Sequence, residues 1–118
     1  MPNILIVDDQ PFIRSLLSEE LEDEGYTVES VGDSLLVEGR IKDREPDVVL
    51  LDLYLKGFEG WRILREIKGR NPDLPVLILT AYDSYADDPR VSEADGYVLK
   101  SFLHFDKLKQ KIADVLMH

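Results

Sequence analysis

The chain has 118 residues, 44% of them apolar and 32% charged, the size and balance of one globular domain that can bury a core. Its 24 acidic and 14 basic residues leave a net charge of -10, a surface that repels phosphate backbones and argues against direct nucleic-acid binding. The absence of cysteine excludes disulfide frameworks, thiolate metal sites and thiol catalysis and fits a reducing cytoplasm; no apolar run approaches the roughly 18 residues of a membrane span, and no basic leader opens the chain.

In chain order, Ile4-Leu5-Ile6-Val7 is a continuous aliphatic run, the mark of a strand buried on both faces. Pro11 suits a helix's first turn; Phe12, Ile13, Leu16, Leu17 and Leu21 recur at helical spacing, and Gly25 stops the helix. Thr27 to Val31 is a more polar strand, placed at an edge. Asp33 or Ser34 can cap a second helix, weakened by Gly39, with Leu35, Leu36 and Ile41 facing inward. After Pro46, Val48-Val49-Leu50-Leu51 is the third strand, and a Gly-containing loop follows. Trp61, Leu64 and Ile67 mark a third helix that ends near Asn71-Pro72. Val76-Leu77-Ile78-Leu79 is the fourth strand. Pro89 interrupts the stretch from Tyr82 to Ala94, so a short or irregular fourth helix is expected there. Tyr97-Val98-Leu99 is the fifth strand, and Phe105, Leu108, Ile112 and Leu116 line a closing helix. Strands alternating with about five helices imply an α/β fold: a parallel sheet covered on both faces, with ligands beyond the carboxyl ends of the strands.

Four of the apolar strands run into polar residues: Asp8-Asp9, Asp52, Thr80 and Lys100. In a parallel sheet these ends share one edge, so residues distant in sequence converge there. Crowded carboxylates repel one another unless a cation intervenes, and an oxygen-only set suits a hard ion such as Mg²⁺. A carboxylate can also attack phosphorus to give an aspartyl phosphate, a reaction that needs positioning and charge neutralisation. Lys100 can neutralise phosphoryl oxygens and Thr80 can donate a hydrogen bond to one. Taken singly, Asp8 and Asp9 could equally cap the first helix, Asp52 could be a loop carboxylate, Thr80 a strand former and Lys100 a solvated charge. The joint pattern carries the reading, because chance rarely puts all of them at the ends of successive core strands.

These residues, together with Gly57, Glu59-Gly60, Thr80-Ala81 and Asp95-Gly96-Tyr97-Val98-Leu99-Lys100, resemble a response-regulator receiver domain over essentially the whole chain. The resemblance implies a three-layer doubly wound sheet of five parallel strands in the order 2-1-3-4-5. The chain stops just after the closing helix, so a single domain over residues 1–118 with no output domain is expected in it, either a single-domain regulator or a piece of a longer protein. It implies a phosphorylation-dependent signalling switch rather than an enzyme, beyond metal-dependent self-phosphorylation and slow self-dephosphorylation. Asp52 would accept the phosphoryl group from a histidine kinase or phosphotransfer protein. Asp9 and Asp52 would hold Mg²⁺ or Mn²⁺ directly, Asp8 through water, and the Tyr54 carbonyl would add a ligand. Thr80 would move toward the phosphoryl group while Tyr97 rotates inward, changing the face of the fourth helix and fifth strand toward a downstream protein. Lys100 would pair with the phosphoryl oxygens.

The sequence departs from the family pattern at Ser101 and Lys56, where prolines are usual, and at Asp87-Asp88-Pro89 on the fourth-helix face. Tyr54 and Tyr82 stand two positions beyond Asp52 and Thr80, where the resemblance implies that side chains govern water's access to the phosphoryl group; both are bulky, so slow self-dephosphorylation is expected. An aspartate-nucleophile phosphohydrolase would want a carboxylate at Tyr54. A flavin-binding protein would want a glycine- and hydroxyl-rich loop in place of Asp8-Asp9-Gln10-Pro11. The remaining alternative is a receiver-like interaction module that works without phosphorylation.

Overall fold

The computed structural model describes residues 2–55, 59–81, 87–100 and 105–117. The apolar runs form strands β1 (Asn3–Val7), β2 (Thr27–Val31), β3 (Val48–Asp52), β4 (Val76–Thr80) and β5 (Gly96–Leu99). Between and after them lie helices α1 (Pro11–Asp23), α2 (Val37–Arg44), α3 (Gly60–Arg70) and α4 (Asp106–Leu116). All strands are parallel, in the order β2-β1-β3-β4-β5, and the polar strand β2 takes an edge as expected.

The buried runs alternate between two cores because successive side chains of a strand point to opposite faces. Leu5, Val7, Val49, Leu51, Val76 and Ile78 pack with Val37 and Ile41 of α2 and Trp61, Leu64 and Ile67 of α3. Ile4, Ile6, Leu50, Leu77 and Leu79 pack with Ile13, Leu17 and Leu21 of α1 and Leu108 and Ile112 of α4. A fully buried aliphatic side chain of this kind contributes about 1.5–3 kcal/mol. These residues therefore hold the sheet rigid and its carboxyl edge in place. Among the described residues no helix is long and apolar enough to cross a membrane.

Three expectations need correction. Leu35 and Leu36 do not face inward; they are 86% and 47% exposed. Asp33 does act as a cap, accepting the Leu35 N–H at 2.9 Å. It caps a 3-10 turn over Ser34–Leu36, however, so the helical stripe begins later and buries Val37 and Ile41. Phe12 shares the helical spacing of α1, yet is 70% exposed, because the stripe of Ile13, Leu17 and Leu21 already covers the sheet. Among the described residues there are four α-helices rather than about five. In the proline-interrupted stretch, residues 82–86 lie outside the described set, and Pro89–Glu93 forms a second 3-10 turn, the short irregular element expected.

Candidate functional site

The carboxyl edge of the sheet collects the strand-end residues. Val7 pairs with Leu51, Asp52 with Leu79 and Thr80 with Leu99, so Asp8, Asp52, Thr80 and Lys100 all lie at the carboxyl edge of the sheet, within two residues of one register level. Asp8, Asp52 and Thr80 are 1%, 4% and 0% exposed. Lys100 Nζ lies 2.7 Å from Asp8 Oδ2 and 3.4 Å from Asp52 Oδ2. The other oxygen of each carboxylate accepts a backbone amide: Gln10 N–H to Asp8 Oδ1 at 2.9 Å and Tyr54 N–H to Asp52 Oδ1 at 3.1 Å. Asp9 is exposed, and carboxylate oxygens of Asp8, Asp9 and Asp52 lie within 4.8 Å of one another.

Two structural alternatives fall away here. The N-cap of α1 is Gln10, and no side chain caps that helix, so neither aspartate serves as its cap. Lys100 is not a solvated charge; its side chain is 9% exposed and its N–H is tied to the Thr80 carbonyl at 2.7 Å. Thr80 lies two residues beyond Ile78, on the sheet face against which Tyr97 packs. The Thr80 hydroxyl and the Tyr97 ring, expected to turn into the space that Thr80 leaves, therefore occupy one face of neighbouring strands.

Among the described residues the carboxylates outnumber the ammonium that pairs with them: Lys100 serves the buried Asp8 and Asp52, and Asp9 stands beside them. Burial pushes the Asp52 carboxyl above its ordinary value of 3.8, Lys100 pulls it back and Asp8 pushes it further up. Oxygen donors alone, with surplus negative charge, suit a hard divalent cation, and Asp8, Asp9 and Asp52 could hold one. A cavity of 350 Å³ opens above them, with Asp9, Phe12, Asp52, Tyr54, Ala81 and Lys100 on its walls. A larger cavity of 480 Å³ lies at the opposite edge, near Ile41, Pro46 and Leu74, away from every strand-end residue. Chemistry rather than volume selects the site.

The loop behind Asp52 is held by a close backbone approach. Gly60 N–H donates to the Leu53 carbonyl at 3.2 Å, and a Cβ on Gly60 would stand 2.5 Å from that oxygen. Only glycine lets α3 begin so near strand β3. Sequence reasoning missed Arg14, which donates to the Asp8 carbonyl at 2.8 Å, and the exposed position of Phe12 on the cavity rim. A helical arginine next to a buried stripe gives no sequence signal for such a contact. Lys56, Gly57, Tyr82 and Ser101, with the Lys100–Ser101 peptide, lie outside the described residues.

The family model for the response regulator receiver domain matches residues 4–113. This chain belongs to the response-regulator receiver family. The receiver domain is similar to the response regulator TrrA of Thermotoga maritima, crystallised in complex with Mg²⁺-BeF. The two are 38% identical with a TM-score of 0.91, over 98% of this chain and 99% of that one. It is similar also to TrrA in a crystal structure with the histidine kinase ThkA, at 39% identity and a TM-score of 0.90, with the same coverage of 98% and 99%. Among curated proteins it is 36% identical over 101 residues to the probable transcriptional regulatory protein TcrX of Mycobacterium tuberculosis, which is 84% of this chain and 43% of TcrX. The chain spans about half the length, or less, of the curated relatives it matches.

Proposed function

We propose that this receiver domain is a phosphorylation-dependent signalling switch, working as one unit over residues 1–118, in which Asp52 takes a phosphoryl group from a partner histidine kinase. The observation that carries this is the shared ion pair: Lys100 sits between two buried carboxylates beside an open cavity. A carboxylate oxygen of Asp52 would form a bond to phosphorus as the donor's phosphorus–nitrogen bond breaks, and the bond's electrons leave with the imidazole nitrogen. Tyr54 N–H holds one Asp52 oxygen and orients the other. Lys100, already within reach of both carboxylates, supplies positive charge to the phosphoryl oxygens.

The donor set fits Mg²⁺ or Mn²⁺, which Asp9 and Asp52 would hold directly, Asp8 would support through water and the Tyr54 carbonyl would ligate. The solved complex of TrrA with Mg²⁺-BeF supports this reading by likeness. Such an ion, when bound, offsets the roughly -1.5 to -2 charge that phosphorylation adds. Thr80 donates its hydroxyl to the phosphoryl group and Tyr97 follows into the vacated space, which alters the β5 face presented to a downstream protein. The solved pairing of TrrA with ThkA favours a kinase as the phosphodonor.

The test is labelling of the purified protein by acetyl phosphate with Mg²⁺. We expect Asp52→Asn to abolish labelling and the wild type to lose it when Mg²⁺ is chelated. Undiminished labelling of Asp52→Asn would remove the central claim.

A further inference from the structure

The acidic pair stands just past the end of β1, where the strand ladder no longer fixes it. Asp8 keeps one ladder bond, its N–H donating to the Val31 carbonyl of β2 at 3.1 Å. Its own carbonyl turns to α1 and accepts from Arg14 Nη1 at 2.8 Å. That carbonyl and the N–H of Asp9 belong to one planar peptide unit. A guanidinium held on the oxygen therefore orients the plane from which Asp9 departs. The Asp8 carboxylate is held separately, by Gln10 N–H and Lys100. Asp9 is exposed, and its position relative to Asp8 and Asp52 is inherited from the backbone.

Gly32, directly after β2, supplies an independent observation. A Cβ there would lie 2.4 Å from Arg14 Nη1 and 3.0 Å from its Cζ. The guanidinium thus occupies the space of the missing side chain. The atoms in the way are the tip of a flexible side chain, so alanine at this position would expel the guanidinium rather than displace backbone.

We propose that Arg14, seated in the slot left by Gly32, is a positioning residue that aligns the Asp8–Asp9 peptide for divalent-metal binding. The proposal rests on the switch reading above. It concerns a metal-site support that touches neither metal nor phosphoryl group.

The experiment measures Mn²⁺ uptake by the full chain, from the electron paramagnetic resonance signal of free Mn²⁺, with melting curves taken in metal-free buffer. We expect Gly32→Ala and Arg14→Ala each to weaken Mn²⁺ binding about tenfold, the low end for loss of a group that supports a metal ligand. The double variant should bind no more weakly than either single one, because nothing is left to displace. Arg14→Lys, which keeps a donor, should recover part of the affinity, and Gly32→Ala should melt close to the wild type. Wild-type affinity in either alanine variant, or additive losses in the double variant, overturns the clamp while the switch reading stands. If the wild type itself takes up no Mn²⁺, the switch reading and the clamp fall together. If Gly32→Ala does not fold, Arg14→Ala against Arg14→Lys decides alone, and equal affinities there overturn the proposal.

Discussion

At the carboxyl edge of the sheet Lys100 lies 2.7 Å from Asp8, with side chains 9% and 1% exposed, whereas on the outer face of α3 Arg62 lies 2.8 Å from Glu66, with side chains 53% and 48% exposed. The distances are nearly equal and the partners chemically alike. Water separates their consequences. The α3 pair forms and breaks against solvent and salt, so it contributes little to stability. At the edge, Asp8, Asp52 and Lys100 are almost wholly withdrawn from solvent, and each charge depends on the others. Distance alone does not rank ion pairs; the rank follows what remains buried when one partner is removed.

The sharpest way to break this comparison is Lys100→Met. It leaves Asp8 and Asp52 buried without their countercharge, and we expect a loss of about 3–5 kcal/mol in urea unfolding of the metal-free protein at neutral pH. Saturating Mg²⁺ should return part of it. A loss no larger than that of an α3 surface variant would sink the comparison.

Asp52 tests the edge from the other side. Burial raises its pKa above 3.8, with Lys100 opposing the shift and Asp8 adding to it. A carboxyl with a raised folded pKa binds protons more tightly folded than unfolded, so its ionised form costs stability. That cost is absent below 3.8 and complete above the raised value. In metal-free buffer, Asp52→Asn should therefore stabilise the protein at neutral pH, and the gain should shrink to nothing as the pH falls toward 3.8. A variant less stable than wild type at neutral pH would contradict this. The expected gain in stability with loss of labelling is a local trade of fold stability for function.

The rim should matter less than the charges. Tyr54 is 45% exposed at the cavity mouth. Once the protein is phosphorylated, Tyr54→Ala or Tyr82→Ala should speed hydrolysis on the order of tenfold, about 1.4 kcal/mol off the barrier. Decay of the labelled protein measures it, and unchanged rates in both variants would end the shielding idea. Smallest of all, Glu66→Gln on α3 should leave the melting temperature unchanged within measurement error. A clear drop there would show that exposed pairs in this protein carry more than solvent screening allows.

Much of this was legible beforehand because it follows short-range periodicity. Ile4 to Val7, Val48 to Leu51 and Val76 to Leu79 read as strands buried on both faces, and each is buried on both faces. Asp8, Asp52, Thr80 and Lys100 were placed on one edge because parallel strands end together, and they meet there. The misreadings arose where periodicity is a poor guide. Leu35 and Leu36 looked like a core stripe, but a capped 3-10 turn shifted the helix start to Val37. Phe12 shares the helical spacing of α1 but lies outside its buried stripe of Ile13, Leu17 and Leu21.

By itself the sequence determined the strands, most of the helical stripes, the family resemblance and the list of chemical groups at one edge. These depend on side-chain type at fixed local spacing, which is set by strand and helix geometry. The tertiary structure decided which of those groups touch. Lys100 reaches Asp8 across 92 positions, Gly32 makes room for Arg14, and Gly60 brings α3 against Leu53 beside Asp52. Such contacts depend on how strand ends and helix starts pack in three dimensions, and no local spacing encodes them.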